Sequence, residues 1–177
     1  IDSTRLLTEI SAHWDREIVP ELIEYVKLPA KSPAFDKDWA KHGFLDAAMA
    51  QAKRWAEAQA IEGLTLEVVR LGVRTPVLYF DIPATGGLDQ ERTVLLYGHL
   101  DKQPEMTGWR EGTGPWIPVY EDGKLCGRGA GDDGYAVFAA LAAIKALDQQ
   151  GIPRAHCIGV IETCEESGSY DLPAYLD

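Results

Sequence analysis

Thr93-Val94-Leu95-Leu96-Tyr97-Gly98-His99-Leu100-Asp101 is the stretch whose reading decides the fold. Its first five residues are nearly all apolar, a run that suits a central strand covered on both faces. His99 and Asp101 then fall just past the carboxyl end of that strand, where catalytic groups of open α/β sheets collect. A second buried-strand pattern at 157–161 is followed by Glu165-Glu166-Ser167-Gly168-Ser169. Between the two lies Gly127-Arg128-Gly129-Ala130-Gly131-Asp132-Asp133, ahead of an Ala-rich helix. The expectation is an α/β fold that gathers one imidazole and several carboxylates at one rim of the sheet, a set suited to divalent cations.

Upstream, residues 4–27 carry Leu6, Leu7, Ile10, Trp14, Ile18, Leu22, Ile23 and Val26 at helical spacing, with Pro20 expected to kink or divide the helix. Asp36 is expected to cap a second helix running to about residue 60, with Trp39, Phe44, Ala48, Ala52 and Trp55 inward. Residues 64–71 and 76–82 read as further strands, and Asp122-Gly123 as a turn between two short ones. A helix from about 134 to 150 presents Val137, Leu141, Ile144 and Leu147 as its inward stripe.

The 177 residues, 46% of them hydrophobic, suffice for one domain with a real core. A formal charge of -11 and the scattering of the basic residues argue against a nucleic-acid partner. No apolar run approaches the roughly 20 residues that cross a bilayer, so no membrane partner is expected. Cys126, Cys157 and Cys164 are odd in number and form no CxxC pair, which fits a reducing, cytoplasmic setting.

His99 suits a zinc ligand, and a carboxylate two residues on can accept its other ring N–H; a capped strand end with a solvated Asp101 is the bland alternative. Asp133 is expected to cap the following helix, whereas Asp132, reached through three alternating glycines, can be aimed into a cleft. Of Glu165 and Glu166, one could bind metal while the other takes a proton from water; a solvated loop is the alternative. His13, His42 and His156 read as packing or surface residues. Cys164 reads as an inert buried thiol, and Trp109 and Trp116 as a clamp on their loop.

Taken together, these motifs resemble the M20 metallopeptidases, a family that includes carnosinase-like dipeptidases, aminoacylases and succinyl-diaminopimelate desuccinylase. The likeness spans roughly residues 93–169, and the Trp-containing loop with Asp122-Gly123-Lys124-Leu125 and Gly127-Arg128-Gly129 is most similar to the dipeptidase branch. It implies a three-layer helix-sheet-helix fold with a mixed, largely parallel central sheet. It further implies hydrolysis of an amide bond by a water activated by two zinc ions, with cobalt or manganese as substitutes. In that scheme His99 binds one zinc, Asp132 bridges both, Glu166 binds the other, Glu165 is general base and later acid, and Asp101 orients His99. The substrate would be a small peptide, or an N-acyl amino acid if the chain is a deacylase, and the parent protein a homodimer. A binding or assembly module that keeps the fold without catalysis is the reading from another class.

Two departures stand out. Gly134-Tyr135-Ala136 replaces the Lys-Gly common after the paired aspartates of the family. Members are also usually about twice this size. The resemblance therefore implies that residues 1–177 are the amino-terminal part of a catalytic domain, inactive alone, without the lid or dimerisation domain and the further ligands.

Overall fold

The structure, a computed structural model, describes residues 1–89 and 91–176. The chain opens with α1 (Ser3–His13), widens into a π-helical turn (Trp14–Ile18) and continues as α2 (Val19–Lys27). Pro20 stands in the first turn of α2, and the helix ahead of it does not break but widens into the π-helical turn. The single helix expected after Asp36 is instead two, α3 (Trp39–His42) and α4 (Phe44–Ala58). Gly43 separates them at φ 73°, left-handed backbone that glycine adopts without steric penalty. The Asp36 carboxylate accepts from Asp38 N and faces His42 Nδ1 at 2.7 Å.

The strands β1 (Thr65–Val69), β2 (Val77–Ile82) and β3 (Thr93–His99) precede a small hairpin, β4 (Val119–Glu121) with β5 (Lys124–Cys126). Helix α5 (Ala136–Gln149) then leads to β6 (His156–Glu162), and α6 (Pro173–Leu176) ends the described chain. The main sheet is mixed, in the order β1-β2-β6-β3. Its β1–β2 and β2–β6 pairs are antiparallel and its β3–β6 pair is parallel.

The core lies between this sheet and the helices. Leu45, Ala48, Met49, Ala52, Trp55 and Ala56 recur at helical spacing along α4 and are all buried. Trp55 meets Phe138 of α5 edge to face at 4.8 Å. From the sheet, Leu78, Phe80, Ile82, Cys157 and Ile161 join them; burying each large apolar side chain contributes about 1.5–3 kcal/mol. Gly159 in β6 leaves the room that the Phe80 ring occupies.

β3 departs from expectation. It pairs with β6 alone among the described strands, so it is an edge strand rather than a central one. Its side chains Leu95 and Tyr97 on one face are 65% and 47% exposed and Val94 on the other is 46% exposed, so it is not covered on both faces. An apolar run of four cannot distinguish a strand buried on both faces from an apolar edge.

Candidate metal centre

Parallel pairing of β3 with β6 sends both carboxyl ends to one edge of the sheet. His99, the last residue of β3, lies opposite Glu162, the last of β6, and Leu100 N donates to Glu162 O at 2.9 Å. Glu165, Glu166 and Ser167 form a 3-10 turn just beyond β6. Because α5 is the connection from β3 to β6, its amino end returns to the same edge and brings Asp132 with it.

His99 is buried, and each of its ring nitrogens faces oxygen. Nδ1 lies 3.1 Å from the Asp101 carbonyl and 3.5 Å from Asp101 Oδ1, while Nε2 faces Asp132 Oδ1 at 3.3 Å and Glu165 Oε2 at 3.6 Å. Burial works against the imidazolium, but the Asp101 carboxylate and carbonyl, together with the Glu165 charge, outweigh it and hold the group at about 9. Asp101 also ties the two strand ends together. Its Oδ1 accepts from Glu165 N at 3.2 Å and its Oδ2 from Glu166 N at 3.0 Å.

His99, Asp132 and Glu166 each offer a ligand atom, and these three atoms lie within 4.8 Å of one another. Glu166 Oε1 is buried with no hydrogen-bond partner among the described residues. A carboxylate oxygen buried without a donor is costly unless a cation or proton meets it. Burial raises the Glu166 carboxyl above its ordinary value, and the Asp132 charge adds to this, while the hydrogen bond from Gln103 opposes it. A donor set of one imidazole and two carboxylates suits zinc and its neighbours.

Asp133 does not cap α5, since no side-chain bond is made at that helix start. Both aspartates sit in non-helical backbone, joined by a cis peptide bond, and a Cβ on Gly98 would meet Asp133 Oδ2 at 3.1 Å. The carboxyl of Asp133 therefore points to the end of β3 rather than along its own helix. Burial raises it, against the pull of the His99 charge and backbone N–H. Cys164 is fully buried and its thiol is pushed up by that burial, which keeps it from acting as a thiolate. Trp109 donates its ring N–H to Glu105 O at 2.8 Å within its loop, and the Lys102 ammonium lies 5.3 Å from the Trp116 ring.

Ser167 was expected to support the Glu165–Glu166 turn, but sequence reasoning missed Gln103, Lys102 and Ser32, which support these groups as well. Gln103 Nε2 donates to Glu166 Oε2. Lys102 is completely buried, with Nζ 2.8 Å from both Tyr25 O and Leu28 O, closing the carboxyl end of α2. Its stem fills the space beside Gly129, which turns at φ 88° on the way to Asp132. Ser32 Oγ and Ser167 Oγ share a hydrogen bond, and Ala34 N donates to Ser167 Oγ at 2.8 Å. Gln103 and Glu166, Lys102 and the carbonyls it closes, and Ser32 and Ser167 are each far apart in sequence, so local patterning carried no signal of these pairings.

Residues 95–177 match the profile of Peptidase family M20/M25/M40. Beta-Ala-His dipeptidase of Mus musculus is 31% identical over 175 residues, covering 95% of this chain and 35% of its own length. Cys-Gly metallodipeptidase DUG1 of Candida albicans is 39% identical over 88 residues, or 46% of this chain and 18% of that protein. The crystal structure of human carnosine dipeptidase 1 superposes with a TM-score of 0.74 at 28% identity, covering 98% of this chain and 37% of the other. The chain thus spans little more than a third of the length of these relatives at most. With the motif order, the α/β fold and the profile in agreement, residues 95–177 of the chain belong to Peptidase family M20/M25/M40.

Proposed function

We propose that this chain carries the cation-binding core of a hydrolase that cleaves the amide bond of a dipeptide or other small peptide. The observation that supports it is the convergence of His99, Asp132 and Glu166, from three separate segments, to within 4.8 Å. His99, Asp132 and Glu166 would hold the metal, which we take to be zinc in a pair that shares Asp132, with cobalt or manganese able to substitute. A divalent cation bound there supplies Lewis acidity, polarising the substrate carbonyl and making water acidic near neutral pH. Glu165, whose side chain is 41% exposed and within 3.6 Å of His99 Nε2, would take the proton of the attacking water and pass it to the departing amine. Asp101 would fix His99 and hold the Glu165–Glu166 turn at the correct height above the strand ends.

The names of the relatives set the first substrates to try, β-Ala-His and Cys-Gly, with N-acetyl amino acids as the deacylase alternative. We further propose that residues 1–177 are the amino-terminal part of a longer catalytic domain and hydrolyse little alone. Three free cysteines support a reducing, cytoplasmic setting, and none of the described helices is long and apolar enough to cross a membrane. The test is zinc-dependent hydrolysis of that panel by the longest natural protein carrying these residues. Dipeptide cleavage that falls at least ~100-fold in Glu165→Gln is expected, the usual range for a lost general base. An undiminished rate in that variant would remove Glu165 from the mechanism, and cleavage restricted to N-acetyl amino acids would select the deacylase.

A further inference from the structure

The two oxygens of Glu166 have unlike surroundings. Oε2 accepts a hydrogen bond from Gln103 Nε2, whereas Oε1 is buried and has no partner among the described residues. At the other end of the residue, the Glu166 amide is fixed by Asp101 Oδ2 at 3.0 Å. Gln103 is itself held in place. It is half-buried and follows Lys102, whose carbonyl accepts from Ser32 N at 3.0 Å and whose ammonium is locked between the Tyr25 and Leu28 carbonyls. A primary amide at this point can donate without carrying charge, so it restrains a carboxylate without neutralising it as Lys or Arg would.

We infer that Gln103 is a positioning residue, whose side-chain amide holds one oxygen of Glu166 so that the other is presented to the cation. The inference rests on the reading of Glu166 as a metal ligand. Without the amide, Glu166 is free to rotate and to form its own water-bound states, and ordering it falls on the binding step. Losing a partner that orients a metal ligand typically lowers metal affinity by about 10–100-fold.

The experiment is isothermal titration of the metal-free chain with Zn²⁺ alone, on the wild type, Gln103→Leu, Glu166→Gln and the double variant, with folding checked by circular dichroism. Gln103→Ala serves as a second probe should the leucine disturb packing. The expected result is a roughly 10–100-fold loss of affinity in Gln103→Leu that disappears in the Glu166→Gln background, because the amide then has no ligand to hold. A loss of equal size in both backgrounds, or none in the Gln103 variants while Glu166→Gln binds weakly, would overturn the inference and leave the metal centre intact. If instead Glu166→Gln binds Zn²⁺ as tightly as the wild type, Glu166 is not a ligand and the reading beneath the inference falls with it.

Discussion

Asp101 is fully buried, and its carboxylate is divided between the Glu165 and Glu166 amides, with Oδ1 also 3.5 Å from His99 Nδ1. Burial alone would lower the imidazole, so the rise to about 9 depends on this neighbour. A folded-state value above the unfolded 6.5 means that the metal-free chain has the full stabilisation below pH 6.5 and loses it as the pH rises through about 9. In Asp101→Asn the His99 titration, followed by proton NMR without metal, is therefore expected to move down, and this pH-dependent loss of stability to shrink. A midpoint still near that of the wild type would show that Asp101 does not set the charge of His99. The short motifs were legible at this scale: His99, Asp101, Asp132, Glu165 and Glu166 all stand at the same sheet edge. Asp133 was misread, because a carboxylate ahead of a helix signals a cap whether or not the backbone between them turns away.

Gly159 illustrates what decides an element here. A Cβ at that position would run into the Phe80 ring from the neighbouring strand. Gly159→Ala is expected to destabilise the fold by about 1–3 kcal/mol, the usual range for overpacking, read as a lower urea midpoint. Gly131→Ala, with nothing within 4 Å of its added methyl, should stay within about 0.5 kcal/mol of the wild type. Equal effects at the two positions would contradict the packing argument. Segment 157–161 advertised β6 through its apolar residues, and Asp122-Gly123 advertised the β4–β5 hairpin, where both turn residues have positive φ. The break at Gly43 was not foreseen, since an isolated glycine in a helical pattern is usually tolerated. The edge position of β3 was also hidden, because strand order is a property of pairing and leaves no mark on the strand itself.

On the scale of the whole molecule, one β-α-β connection does the assembly. Two parallel strands end at the same edge and the helix between them begins there, so residues as distant as His99 and Glu166 meet without a long loop having to carry them. The formal charge of -11 adds a field that attracts cations to the chain in general. Attraction of that kind is diffuse and salt-screened, whereas the account requires a particular place. The measurement that separates the two is anomalous diffraction at the zinc edge from crystals of the chain grown with Zn²⁺. The account predicts a strong peak within bonding distance of His99 Nε2, Asp132 and Glu166, lost in His99→Ala crystals. Zinc found only at scattered surface carboxylates, with none between these three side chains, would contradict it.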